Sequence, residues 1–141
     1  MPRIVFVTRT EHFSASHRLH SIHLSDEENA EIFGKCNNPN GHGHNYKVDV
    51  TVKGAVDPKT GMVINLVGLK KIMQEAILEA MDHKNLDKDV PFFQTVVSTA
   101  ENICIFIWDR IVDELPPTVK LHEVKLFETD KNVAFYRGEE A

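Results

Sequence analysis

Gly41-His42-Gly43-His44-Asn45-Tyr46-Lys47-Val48-Asp49-Val50-Thr51-Val52-Lys53 reads as one long strand with chemistry at its start. From Tyr46 onward, Tyr46, Val48, Val50 and Val52 alternate with Lys47, Asp49, Thr51 and Lys53. That is the period of a strand with one face in a core and the other in water. If the strand starts early enough, His42 and His44 project to the same side, as two nitrogen ligands of one metal must. Just upstream, Gly34-Lys35-Cys36-Asn37-Asn38-Pro39-Asn40 sets a thiol in a polar loop shaped by glycine and proline. A third imidazole is needed nearby, and Phe13-Ser14-Ala15-Ser16-His17-Arg18 offers one at the end of an earlier strand.

Size and composition bound the rest. At 141 residues the chain has the length of one domain, so residues 1–141 are expected to form a single unit with its own core. A formal charge of −5 argues against a nucleic-acid partner, which calls for a basic face. No apolar run approaches the ~20 residues of a membrane-spanning helix, and the first residues do not make a secretory leader. No membrane partner and a cytoplasmic location are therefore expected. Cys36 and Cys104 do not make a disulfide framework. Eight histidines is a high count for this length and favours a metal or acid–base site.

In chain order, residues 3–16 read as a strand whose imperfect alternation predicts a bulge. Ser25-Asp26-Glu27-Glu28 is a capping-box signature and Gly34 a stop, so a short helix lies between two strands. After the strand from His42 to Lys53, Asp57-Pro58-Lys59-Thr60-Gly61 makes a turn. Asn65 caps an amphipathic helix over 66–82, with Leu66, Leu69, Met73, Ala76, Ile77 and Ala80 on its apolar line. Residues 84–97 read as a loop. Ser98-Thr99-Ala100-Glu101 is a second capping box, opening a helix to about Leu115, where Pro116-Pro117 stops it. Strands Val119–Glu128 and Asn132–Arg137 are joined by a hairpin-length loop. The order is ββααββ, an α+β subunit in which two long helices cover one face of a four-stranded antiparallel sheet. Its open edges are a liability that closure with other subunits removes.

Three histidines without a fourth protein ligand suit a catalytic rather than a structural zinc site, because the fourth position stays open to water or substrate. His12, His20, His23 and His122 are spare candidates that composition does not rank against His17. Cys36 lies in a polar loop next to Lys35, the setting of a reactive thiol. Cys104 lies on an apolar helix and reads as a small core residue. Asp82-His83 at a helix end is a candidate proton-handling pair, able to cooperate only where the helix unwinds. Glu128, at a strand end, can accept two parallel N–H bonds from an aminopyrimidinone ring. Glu101 could do the same, but its capping-box role already accounts for it.

Phe13-Ser-Ala-Ser-His17-Arg18, Cys36-Asn-Asn-Pro-Asn-Gly-His42-Gly-His44-Asn-Tyr, Asp57-Pro-x-Thr-Gly-Met, Leu69-Lys-Lys, Asp82-His83-Lys-Asn-Leu-Asp, Ser98-Thr-x-Glu-Asn and Glu128-Thr-Asp together resemble the 6-pyruvoyl-tetrahydropterin synthase family, from about residue 10 to the end. The resemblance implies the tunnelling fold (T-fold), in which three subunits close a barrel and two trimers stack into a homohexamer. It implies zinc on His17, His42 and His44, and Cys36 as catalytic base with Asp82 and His83 contributed by a neighbouring subunit. It implies Glu128 as anchor of the pterin ring, and magnesium accompanying a triphosphate. The implied reaction, in tetrahydrobiopterin biosynthesis, turns 7,8-dihydroneopterin triphosphate into 6-pyruvoyl-tetrahydropterin and free triphosphate. It needs no nicotinamide or flavin, because electrons move from side chain to ring within one molecule. The sister 6-carboxytetrahydropterin synthases place three residues between cysteine and His-Gly-His; here five intervene, which favours the pyruvoyl enzyme. A zinc- or pterin-binding oligomer without catalysis is the rival from another class.

Overall fold

Alternation along the two longest strands builds the core. A computed structural model describes residues 1–141. β1 (Ile4–His17) and β2 (His42–Ala55) pair antiparallel over their full length, from Ile4 opposite Ala55 to His17 opposite His42. Tyr46, Val48, Val50 and Val52 are fully buried, while Lys47, Asp49, Thr51 and Lys53 are half-buried on the opposite face. Each buried valine gains about 1.5–3 kcal/mol over an exposed one, which fixes the register against a one-residue slip. Between these strands, α1 (Asp26–Phe33) begins with both hydrogen bonds of the expected capping box.

The second helix departs from regular geometry. Asn65 caps it as expected, and it runs Leu66–Met73, a π-helical turn Gln74–Leu78 and Glu79–Met81, together α2. The wider turn carries Met81 into the core and leaves Ala80 half-buried. Regular periodicity had placed Ala80 on the buried line. Arg110 donates to the carbonyls of Ala76 and Glu75 beside this turn.

Residues 84–97 are not a plain loop. Lys84–Asn85 form β3, which pairs parallel with Ala15 and Ser16. α3 (Leu86–Asp89) and a 3₁₀ turn, Pro91–Gln94, follow. The sheet is therefore five-stranded and mixed, in the order β3-β1-β2-β4-β5, rather than four-stranded and antiparallel. The extra strand has only two residues, too few for any alternation to reveal.

α4 (Ala100–Ile111) packs its Ile103, Cys104, Ile107 and Ile111 against the sheet. β4 (Val119–Phe127) and β5 (Val133–Tyr136) complete it. The irregularity expected in β1 lies instead where β2 meets β4: Thr51 faces Glu123 and Val52 faces Leu121, so His122 is the extra residue. This bulge lets Leu121 and Val124, three apart, both reach the core. The apolar start of β1 is unpacked rather than bulged, with Ile4, Val5 and Phe6 exposed. No helix is long and apolar enough to cross a membrane.

Candidate metal centre and the adjoining cavity

His17 and His42 are partners at the end of the β1–β2 ladder, and His44 lies two residues further along β2 on the same face. One nitrogen from each of the three lies within 4.8 Å of the others. Gly41 makes the approach possible: its φ is +73°, and a Cβ there would meet the His17 carbonyl oxygen at 2.9 Å. Any other residue would be strained in conformation and would push the incoming loop off β1.

The His17 ring is held by its other nitrogen. Nδ1 lies 2.8 Å from the Ser98 carbonyl and so carries the proton, leaving Nε2 with a free lone pair. The Ser98 hydroxyl donates to Asp87 Oδ1 at 2.7 Å, and Asp87 Oδ2 accepts the Arg18 amide at 2.6 Å. Nε2 of His17 and Nε2 of His44 are buried with no hydrogen-bond partner. Buried polar atoms are normally paired, so two orphaned acceptors aimed together are what a divalent cation would satisfy. Three clustered imidazoles, with His17 held by an outer hydrogen bond, fit zinc by donor type.

Burial lowers the pKa of His17, against the opposing Ser98 hydrogen bond and with help from His42. Burial also lowers that of His44, outweighing the field of Glu128. Glu128 Oε1 lies 3.9 Å from His44 Nε2. With His44 neutral this is proximity, not an ion pair. The shifts have a consequence for folding. Below about pH 6.5, the ordinary value for histidine, an unfolded chain takes protons on both residues that the native chain refuses, so stability must fall as pH falls. The urea midpoint of metal-free protein is expected to drop from pH 7.5 to 5.5, with a smaller slope in His17→Gln. A flat profile across that range would contradict neutral, buried imidazoles.

Cys36 lies half-buried in a 3₁₀ turn, Gly34–Asn37, directly before the glycine-proline loop. The turn is tied to the chain following His17. Leu19 N–H donates to the Cys36 carbonyl at 2.9 Å, Arg18 Nε donates to the Asn37 carbonyl at 2.7 Å, and the Asn37 amide donates to the Leu19 carbonyl at 2.7 Å. None of these bonds uses the thiol. Cys104 is the contrast: burial pushes its pKa up to about 12.

Asp82 and His83 fall where α2 unwinds. Asp82 is extended and His83 has φ 62°. That break lets adjacent side chains meet, with His83 Nδ1 2.9 Å from Asp82 Oδ2. The Ser14 amide donates to Asp82 Oδ1 at 2.9 Å, and this bond, then His83, holds the carboxyl below its ordinary range. The His83 side chain is 84% exposed, and no hydrogen bond links the pair to Cys36 within the chain. His83 and His44 line one shallow cleft at the β1–β3 edge.

Glu128 lines a cavity of about 680 Å³ together with Leu19, Thr99, Glu101 and Phe135. The second capping box is not formed. Thr99 is the cap, accepting from the Asn102 amide, while Ser98 turns to His17 and Asp87. Glu101 is therefore free of the role assigned to it and shares the Glu128 cavity. Ser98, Asp87 and Asn37 are the site residues that sequence reasoning missed. Each acts across long sequence separations, where no local pattern exists to read.

Residues 6–139 match the family model for 6-pyruvoyl tetrahydropterin synthase. The chain is 62% identical over 133 residues to a 6-pyruvoyl tetrahydrobiopterin synthase of Homo sapiens, covering 94% of this chain and 91% of the relative. It is 60% identical over 137 residues to one from Poecilia reticulata, covering 97% and 92%. The solved structure of Caenorhabditis elegans 6-pyruvoyl tetrahydropterin synthase superposes with a TM-score of 0.94 at 50% identity, covering 98% of each chain.

Proposed function

Because the chain belongs to the 6-pyruvoyl tetrahydropterin synthase family, a family of lyases with the α+β T-fold, we propose that it converts 7,8-dihydroneopterin triphosphate into 6-pyruvoyl-tetrahydropterin and triphosphate. The observation that carries this reading is the set of three clustered imidazoles, two of them with orphaned, buried nitrogens, with His44 Nε2 3.9 Å from the carboxylate of Glu128. Zinc held by His17, His42 and His44 would polarise the substrate's side-chain oxygens and acidify the neighbouring C–H bonds.

The remaining roles fall to the chain's own groups. Glu128, lining a cavity of about 680 Å³, accepts paired N–H bonds from the pterin ring and sets its side chain over the imidazoles. Cys36 Sγ takes the proton from the side chain. Asp82, kept ionised by the Ser14 amide, orients His83 through Nδ1, so that Nε2 of that exposed ring is left to relay the proton. Its exposure, and the lack of any bond to Cys36 in one chain, suit a pair that serves the site of a neighbouring subunit. Magnesium would accompany the triphosphate.

The decisive experiment is turnover of dihydroneopterin triphosphate, with product identification, with and without a chelator. A pyruvoyl product that disappears on chelation supports the reading. A carboxylated pterin with acetaldehyde would indicate the sister reaction, and pterin binding without turnover a non-catalytic oligomer.

Assembly into a homohexamer is part of the proposal. Ile4 and Phe6, where β1 is paired by β2 on one side only, and Val133 and Phe135 on β5, are exposed at opposite edges of the sheet. Such edges call for partners. Phe135→Asp is expected to shift sedimentation from hexamer to smaller species and to lower activity with it. An unchanged sedimentation coefficient would remove edge pairing through β5.

A further inference from the structure

β3 has only two residues, but the register it sets reaches the three imidazoles. Parallel pairing puts Lys84 opposite Ala15 and Asn85 opposite Ser16. Carried two residues on, the same register brings Asp87 beside Arg18, whose backbone N–H donates to Asp87 Oδ2 at 2.6 Å. The other oxygen, Oδ1, accepts the hydroxyl of Ser98 at 2.7 Å. Asp87 therefore grips both flanks of His17: the residue that follows it, and the residue whose carbonyl holds its ring. None of the roles above uses this carboxylate. It is not one of the three clustered ligands, and it does not line the Glu128 cavity.

The hydroxyl between Asp87 and His17 has two directions open to it. Ser98 Oγ lies 2.7 Å from Asp87 Oδ1 and 3.3 Å from His17 Nδ1. A carboxylate oxygen only accepts, so the hydroxyl proton goes to Asp87. The hydroxyl's lone pairs then face Nδ1, which must carry the ring proton, as the Ser98 carbonyl at 2.8 Å also requires. Turned the other way, the hydroxyl would donate to Nδ1. The ring proton would then sit on Nε2, the atom that a metal needs with its lone pair free. His17 and Ser98 are both 0% exposed, so bulk water does not settle the choice.

We infer that Asp87 is a positioning residue: by fixing the direction of the Ser98 hydroxyl, it fixes the His17 tautomer that binds metal. The inference rests on the reading that the three imidazoles hold a divalent ion. A neutral side chain of the same shape does not replace the carboxylate. Asparagine has one acceptor oxygen, and the Arg18 N–H claims it. Its amide group then donates to Ser98 Oγ and turns the hydroxyl proton towards Nδ1.

Asp87→Asn tests this in the full chain, read out with and without metal. In metal-free protein at neutral pH, the NMR shifts of the ring nitrogens are expected to place the His17 proton on Nδ1 in the parent and largely on Nε2 in the variant. Cobalt affinity, from competition with a chelator, should fall by about 10–100-fold, the effect of losing an outer partner of a metal ligand. Adding Ser98→Ala to Asp87→Asn should restore both, because no hydroxyl remains to turn and the carbonyl of residue 98 still accepts from Nδ1. A merely structural role for Asp87 predicts the opposite, with the second substitution adding to the damage. Asp87→Ala, which also takes the acceptor away, should change the tautomer in the same direction and serves if Asp87→Asn does not fold. Parental tautomer and cobalt affinity in Asp87→Asn would overturn the inference, and so would a double variant no better than the single one. A parent protein that takes up no cobalt would sink the reading of the three imidazoles, and the inference with it.

Discussion

Cys36→Ala is expected to lower kcat by about 10²–10⁴-fold, the usual contribution of a positioned acid–base group, while zinc content and pterin affinity stay near the parent's. The structure separates these effects. The turn that carries Cys36 is fixed by backbone and Asn37 bonds, so the loop leading into His42 survives loss of the sulfur. Glu128 and the imidazoles stand on other elements, so binding persists. Steady-state kinetics, zinc analysis and pterin titration on one preparation check all three. Near-parental turnover would remove Cys36 as the base, and joint loss of zinc would make it part of the metal centre instead.

His42→Ala is expected to weaken zinc affinity by well over about 100-fold, because removing even an outer hydrogen-bond partner of a metal ligand costs about 10–100-fold. Turnover should be lost with the metal. The fold should remain, since the His42 side chain makes no protein hydrogen bond and its ring only neighbours those of His17 and His44, with centroids 4.7 and 4.9 Å away. Competition with a chelator, with His23→Ala as control, measures the effect. Parental zinc content in His42→Ala would mean that the three imidazoles do not form the centre.

How legible the site was depended on distance along the chain. His42 and His44 declare themselves through period two on a single strand. His17 could be nominated but not selected over His12 or His20 until the β1–β2 register set it opposite His42. Asp82 and His83 were readable as a helix end, yet their contact needed the positive φ of His83. Ser98 was misread because two adjacent hydroxyl residues compete for one cap, and only the position of His17 decides which turns away.

The sequence alone determined the order of the four main strands and the two long helices, the core face of β2 and the placing of His42 and His44 on one face of it. These follow from alternation, helical spacing, caps and chain breakers, all of which act over a few residues. The tertiary structure alone decided the parallel Lys84–Asn85 strand, the π turn that brings Met81 inward, the bulge at His122 and the Asp87–Ser98–His17 chain of hydrogen bonds. Each depends on a partner ten to eighty residues away, or on how one helix seats against a twisted sheet. No local energy term carries that information until packing supplies the partner.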